Sequence, residues 1–184
     1  MEDLSNLKRK VGFYQEVLNN TISYREVWEK SLKNDIRTQL EAMVKETGLT
    51  ATVELKENLE NLEALVLSLG QAKSGIYEKV NEHVQRHMIK HNGALVYQQL
   101  FNGKIIVLIN YPMIEGYGEP RPPRTLAIYR PEEIKPPFLI RHMEELIKEV
   151  TVWEDYDDDE PTPNANQKIG YRLNFPGGEI EPEG

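Results

Sequence analysis

The dipeptide Asn102-Gly103 constrains the fold more than any other feature of the sequence, because it separates two segments with the composition of β-strands, 95–101 and 104–110. Asn-Gly is the preferred pair for a type I′ turn, in which both central residues have positive φ. The two runs are therefore predicted to form a β-hairpin. Residues 105–109 are all aliphatic, so the second strand is predicted to lie centrally in a sheet with both of its sides covered.

Three other segments have the alternation or composition of β-strands, namely 50–57, 62–69 and 125–129. Residues 76–91 are predicted to form a helix, because apolar residues recur there at helical spacing and Asn92-Gly93 follows as a stop signal. A last helix is predicted to begin at Pro136-Pro137, since proline is favoured in the first helical turn.

The N-terminal region contains a heptad seam, which is a row of apolar residues spaced alternately three and four apart. Its members are Leu4, Leu7, Val11, Tyr14 and Leu18. This spacing predicts a helix over 3–19. The next seam positions are Thr21 and Arg25, so a break is predicted near 19–21.

A second helix is predicted to follow, with Ser23 and Glu26 as its capping box and Gly48 as its stop. The seam of the first helix has two interpretations. It either packs back on the same chain or pairs with another chain, and a surplus of amphipathic helix beyond what the sheet needs favours self-association.

Together these elements predict an α+β fold, with an antiparallel sheet of about five to six strands and helices on one face. A long two-helix segment over 1–48 precedes the sheet and could mediate dimerisation. Residues 49–153 form the predicted sheet domain. Residues 154–184 are predicted to be an acidic linker and tail, with a candidate edge strand over 168–175.

Over residues 23–153 the predicted order of helix, strands, helix, hairpin and final helix is similar to that of the bacterial secretion-chaperone-like fold. This resemblance implies a small, acidic, dimeric protein that binds other proteins. The additional strand at 125–129 departs from that fold.

Composition limits the remaining classes of function. The chain has no cysteine, which excludes disulfides, thiol catalysis and cysteine-ligated zinc. The net charge of −8 argues against general binding of duplex nucleic acid, which requires a basic surface. No apolar run reaches the roughly 18–20 residues that span a bilayer, so a cytoplasmic location without membrane contact is expected.

Four residues are candidate metal ligands. His83 and His87 lie four residues apart on the predicted helix, and His142 and Glu145 lie three apart on the last helix. Imidazoles at this spacing can hold one divalent cation such as zinc, and no other cofactor is indicated. The alternative interpretation places His87 and His91 in the core, with His91 also interacting with the helix dipole.

The long loop 112–123 and its surroundings suggest a second candidate site. Tyr117, Arg121, Arg124 and Arg130 could form an anion-binding pocket there, because long loops in compact domains are often functional. The alternative is a solvated, mixed-charge surface.

No residue is predicted to be catalytic, because dinucleotide, phosphate-loop and nucleophile-elbow motifs are all missing from the sequence. The first hypothesis is therefore a non-enzymatic protein-binding or chaperone-like module, expected to be a homodimer and to bind a protein partner or itself. The two alternatives are a metal-dependent or small-molecule site at His83, His87 and His142, and the anion-binding pocket.

Overall fold

The computed structural model of the chain describes residues 3–59 and 62–156. In chain order the elements are α1 (Ser5–Val27), a π-helical turn (Trp28–Leu32), α2 (Lys33–Thr47), β1 (Thr52–Leu59), β2 (Leu62–Ser68), β3 (Gln71–Lys79), β4 (Gln85–His91), β5 (Ala94–Gln99), β6 (Ile105–Asn110), β7 (Met113–Ile114), β8 (Arg124–Tyr129), a 3-10 turn (Pro131–Glu133) and α3 (Pro136–Glu154). The predicted α+β class is confirmed. The candidate edge strand over 168–175 lies outside the described residues.

The main sheet has five antiparallel strands in the order β1-β2-β5-β6-β8. Alternate residues of its central strands share one core with α2 and α3, and both helices therefore cover the same face. The fully buried members of this core are Trp28, Ile36, Leu40, Leu65, Leu67, Leu95, Tyr97, Ile105, Val107, Ile109, Leu139 and Leu146.

Strand β6 lies inside the sheet, as predicted, with one side fully buried and the other half-buried. Ile105, Val107 and Ile109 are fully buried under α2 and α3, whereas the alternating residues Ile106 and Leu108 are half-buried on the opposite face. On the neighbouring strands of that opposite face, Val66 and Val96 are buried, with exposed fractions of 9% and 7%. The second side of the main sheet is therefore apolar and only partly exposed at β6.

The hairpin predicted at Asn102-Gly103 is confirmed, but its turn is centred one residue earlier. The Gly103 amide donates to the Leu100 carbonyl at 2.9 Å, and the Leu100 amide donates to the Lys104 carbonyl at 2.7 Å. Phe101 and Asn102 are therefore the central residues of the turn. Gly103 follows with a φ of 75°, the arrangement of a three-residue hairpin loop with a left-handed glycine.

The helix predicted over 76–91 is wrong, because this segment is the β3–β4 hairpin. Strands β3 and β4 form a second sheet with the short strand β7, in the order β3-β4-β7. They continue β2 and β5 in the same register, with Ser68 opposite Ala94 and then Gln71 opposite His91. Strand pairing between β3 and β4 determines the structure of this segment, and the helical spacing of its apolar residues is coincidental.

This ribbon, residues 71–91, is named the β-arm. Its strand β3 has nine residues, which corresponds to a length of about 30 Å. The exposed side chains of Tyr77, Val80 and Val84 lie at or near its tip. The secretion-chaperone-like order of elements requires a helix at this position. The chain therefore departs from that fold here as well as at β8.

The break predicted near 19–21 is also wrong, because α1 continues without interruption to Val27. The Thr21 hydroxyl donates to the Val17 carbonyl at 3.2 Å, so the polar side chain is satisfied inside the helix. The irregularity lies instead in the π-helical turn, which places Trp28 and Leu32 in the core. The predicted stop at Gly48 is confirmed, with a φ of 70°.

Candidate functional site

The heptad seam of α1 is an apolar feature that the fold leaves exposed. No residue of α1 is buried. The exposed fractions of the seam side chains are Leu4 53%, Leu7 56%, Val11 45%, Tyr14 62% and Leu18 48%. Half-exposed apolar side chains in one continuous row are unusual on an isolated protein and typical of an interaction surface. The row is named the α1 seam.

The α1 seam ends where α1 contacts the β5–β6 turn of the same chain. The Arg25 guanidinium donates to the Phe101 carbonyl at 2.6 Å. A Cβ atom placed on Gly103 would lie 2.7 Å from the Cβ atom of Tyr24 and 2.9 Å from the Thr21 carbonyl oxygen. Thr21 and Arg25, the two polar residues that interrupt the seam in the sequence, thus lie at the contact between α1 and the β5–β6 turn.

The predicted metal ligands occupy separate surroundings. His83 lies in the tip of the β-arm, where its backbone amide donates to the Asn81 side chain at 2.9 Å. His87 lies on β4, with its ring centroid 4.3 Å from that of Tyr77. Glu145 accepts a hydrogen bond from Arg124 at 3.3 Å. In residues 3–59 and 62–156, no three histidine or acidic side chains are grouped so that they could hold a metal ion.

His142 is a core residue, held between two tyrosines. It is 3% exposed, its Nδ1 atom lies 2.9 Å from the Tyr97 hydroxyl and its Nε2 atom lies 3.2 Å from the Tyr129 hydroxyl. A neutral imidazole satisfies both contacts, because one nitrogen donates and the other accepts. Burial, with a smaller contribution from the charge of Arg141, lowers the pKa of His142 to about 4.

The lowered pKa of His142 makes the stability of the protein dependent on pH. The unfolded chain, with an ordinary histidine pKa of about 6.5, binds more protons than the folded one between pH 6.5 and 4. The contribution is complete above pH 6.5 and is lost as the pH falls towards 4. After allowance for solvent screening we expect it to be about 2 kcal/mol. Urea unfolding at pH 7 and 4.5 measures it.

Two variants isolate this effect from that of other titrating groups. His142→Gln keeps a hydrogen-bonding side chain but cannot titrate, so its unfolding free energy should change less between the two pH values than that of the natural protein. His83→Gln, in the exposed tip of the β-arm, should behave like the natural protein. An identical pH dependence for His142→Gln would refute the assignment.

Two of the predicted anion-binding arginines, Arg124 and Arg121, have guanidinium groups that contact other side chains. Arg124 pairs with Glu145 and Glu149, and Arg121 lies 4.0 Å above the ring centroid of Tyr111. At Arg130 it is the backbone amide that donates, to the Glu133 side chain at 2.7 Å. Arg124 therefore already has two carboxylate partners, which makes it a poor ligand for a further anion.

Tyr117 and the loop around it pack on the base of the β-arm. The backbone of Tyr117 bridges to Ile114 in β7, and the amide of Glu115 donates to the Ile89 carbonyl at 2.9 Å. The Glu115 carboxylate also lies 2.7 Å from the Nε2 atom of His91. These contacts hold the loop against β4.

Two side-chain contacts in the structure were not predicted from the sequence. Tyr97 and Tyr129 are separated from His142 by 45 and 13 residues, and no local pattern relates them. The contact of Lys90 in the β-arm with Glu154 at the end of α3, at 2.7 Å, is equally remote in sequence. Only the alternation of inward residues on β5 and β8 could have indicated that the two tyrosines face the core.

Comparisons with known proteins add no relative of this chain. No family model matches it, and no curated protein and no solved structure shows significant similarity to it. Within the described ranges, none of the helices combines the length and the apolar character that crossing a membrane requires.

Proposed function

We propose that this protein is a non-enzymatic protein-binding module that forms a homodimer through the α1 seam. The observation that carries the proposal is the row of five half-exposed apolar side chains on a helix with no buried residue. A helix of 23 residues is about 35 Å long, and it gains most of its stability in water from packing of its apolar face. A second helix of the same kind would supply that packing.

The spacing of the α1 seam favours another copy of α1 as the occupant. Alternating steps of three and four residues keep apolar side chains on one line, which is the requirement for knobs-into-holes packing of two helices. The pattern is present in every copy of the chain. A symmetric pair therefore needs no further complementary surface.

The charge of α1 is compatible with pairing of like chains. Residues 3–27 contain four basic and three acidic side chains, although the whole chain carries a net charge of −8. Two acidic bodies repel each other, but two nearly neutral helices do not. The region that would approach most closely is thus the one where repulsion is weakest.

A pair joined through α1 would leave two other surfaces free for a different protein. One is the side of the main sheet on which Ile106 and Leu108 remain partly exposed. The other is the β-arm, with Tyr77, Val80 and Val84 exposed near its tip. These surfaces support a binding role beyond self-association.

Light scattering coupled to size-exclusion chromatography tests the dimer. The natural chain, of 21.3 kDa, should elute with twice that mass. Val11→Glu places a carboxylate in the middle of the seam, where pairing would remove it from water. We expect the dissociation constant to rise at least 100-fold, which corresponds to about 2.7 kcal/mol.

Phe13→Glu is the matched control for this experiment. Phe13 is 66% exposed on the same helix, but it lies about 140° around the helix from the seam. The variant has the same change of charge and should remain dimeric. A monomeric natural chain at all concentrations, or equal dissociation of both variants, would count decisively against pairing through the seam.

A further inference from the structure

We infer that the two α1 helices of the dimer run parallel, so that the β-arms of both chains project to the same side of the assembly. The inference rests on the proposed pairing through the α1 seam, and it adds the direction of the partner helix. It is carried by two exposed apolar residues beside the seam, Val17 and Ile22, and by the place where α1 contacts the β5–β6 turn.

The α1 seam does not include all the exposed apolar side chains of α1. Val17 is 42% exposed and Ile22 is 61% exposed. At about 100° per residue, Val17 lies about 100° to one side of the middle of the seam, and Ile22 lies about 40° to the other side. The two residues therefore occupy the two flanks of the seam, through which paired helices select the direction of their partners.

A parallel pair brings these two flanking residues together. In such a pair, a residue on one flank faces the residue five positions further along on the other flank of the partner. Val17 of each chain would therefore face Ile22 of the other, and the symmetry of the pair makes this apolar contact twice. Asp3 would face Lys8 of the partner in the same way, with opposite charges. Both contacts add to the packing of the seam.

A parallel pair also uses the whole α1 seam. Each seam residue packs against its own copy, so every layer of the interface is apolar. In the longest antiparallel overlap that keeps the seams packed, Leu7 faces Leu18 of the partner, and Leu4 faces Thr21. Thr21 is polar, and its carbonyl oxygen already lies 2.9 Å from a Cβ atom placed on Gly103. An antiparallel pair would therefore lose the apolar layer of Leu4.

The flanks of an antiparallel pair would gain no apolar contact. In the same overlap, Val17 would lie beside Lys10 of the partner, and Ile22 would lie beyond Ser5, where the partner helix begins. Neither apolar side chain would gain an apolar neighbour, and burial of apolar surface is the main favourable contribution to association. Apolar burial at the flanks therefore favours the parallel pair.

The parallel direction determines where the β-arms point. Helix α1 contacts the turn that follows β5, where Arg25 donates to the Phe101 carbonyl at 2.6 Å. The β-arm leaves the main sheet at the opposite end of β5, before Ala94. Two parallel α1 helices would therefore direct both β-arms to one side, whereas antiparallel helices would direct them to opposite sides. Two β-arms on one side can bind one partner at two points, which raises the overall affinity.

Disulfide cross-linking of single-cysteine variants tests the direction, because the natural chain contains no cysteine. In a parallel pair, Leu18→Cys should form a disulfide with its own copy in a glutathione buffer. In the antiparallel pair, the two copies of residue 18 would lie about 16 Å apart, which is too far for a disulfide. Phe13→Cys, on the other side of α1, is the matched control and should be cross-linked at least tenfold less.

An equal mixture of Leu7→Cys and Leu18→Cys chains, one of them labelled with nitrogen-15, separates failure of the direction from failure of the pairing. In a parallel pair, every disulfide should join identical residues, and each product should carry one isotope only. Products that join residue 7 to residue 18, in a protein of dimeric mass, would overturn the parallel direction and leave the pairing intact. A monomeric mass, with equal cross-linking of Leu18→Cys and Phe13→Cys, would refute the pairing and the direction together.

Charged side chains at the flanks provide a second test that does not depend on cysteine. Val17→Glu with Ile22→Glu, or Val17→Lys with Ile22→Lys, places like charges face to face in a parallel pair. Val17→Glu with Ile22→Lys places opposite charges there, and this variant should dimerise about tenfold more tightly than either of the others at low salt. The difference should shrink in about 1 M NaCl. Dissociation constants that do not favour the oppositely charged variant would overturn the parallel direction.

Discussion

Replacing Trp28 by alanine should lower the free energy of unfolding by about 3–5 kcal/mol, the range measured for loss of large buried aromatic side chains. Trp28 is 1% exposed and lies in the core with Ile36 and Leu40. Its indole nitrogen also donates to the Glu63 carboxylate at 2.9 Å. Urea unfolding followed by circular dichroism measures the change.

The second tryptophan of the chain provides the control for this prediction. Trp153 lies near the end of α3, half-buried beside Lys90, and it is not part of the core. Trp153→Ala should cost less than about 1.5 kcal/mol. Trp28→Phe should fall between the two, because it keeps most of the packing and loses a hydrogen bond to a charged group worth about 1.5–3 kcal/mol. Equal losses for both alanine variants would contradict the central role of Trp28.

Gly103→Ala should be the second most damaging change, with an expected loss of about 2–4 kcal/mol. A φ of 75° disfavours any residue with a Cβ atom, at a cost of roughly 1–2 kcal/mol. The new Cβ would also lie 2.9 Å from the carbonyl oxygen of Thr21, so α1 would have to move away from the β5–β6 turn. Urea unfolding measures the loss, and limited proteolysis of α1 reports the displacement.

Gly118→Ala separates the backbone cost of this substitution from the cost of the contact. Gly118 has a φ of 73°, almost the same as Gly103, but a Cβ atom there would have no neighbour within 4 Å. Its loss of stability should therefore equal the backbone cost alone. If the two variants lost the same stability within about 0.5 kcal/mol, the contact between α1 and the turn would contribute nothing.

The strands of the main sheet could be predicted from the sequence because their information is local. Alternation identified β1 and β2, and Asn102-Gly103 identified the β5–β6 hairpin. The turn was placed one residue too far along because an Asn-Gly pair suits two hairpin loops, and the register of Gln99 with Ile105 selects the longer one.

The β-arm could not be predicted because its structure depends on pairing between distant residues. Ile76, Val80, Val84 and Met88 recur every four residues, which is helical spacing, yet Val80 and Val84 flank the exposed turn of a hairpin. Because of this error, the histidines of this segment were predicted to lie on a helix, whereas the segment forms a hairpin. The proposed metal set therefore combined residues of the β-arm with residues of α3, on the basis of spacing alone.

The buried face of α3 does not follow the hydrophobicity of its residues. Met143 and Leu146 lie in the core, whereas Ile140 and Ile147 are 50% and 37% exposed. His142 is buried in the core although it is polar, because the hydroxyls of two tyrosines satisfy its ring nitrogens. Hydrophobicity alone could not indicate this, since the compensation comes from β5 and β8.

The continuous hydrogen-bond ladder from the main sheet into the β-arm has a mechanical consequence. The Leu69 amide donates to the Gly93 carbonyl and the Asn92 amide donates to the Gly70 carbonyl, both at 3.0 Å, so no loop interrupts the ribbon where it leaves the sheet. Gly93 is also closely surrounded, because a Cβ atom there would lie 3.1 Å from the Asn110 carbonyl oxygen. A force applied at the tip of the β-arm would therefore be transmitted through these backbone hydrogen bonds directly into the central strands β2 and β5.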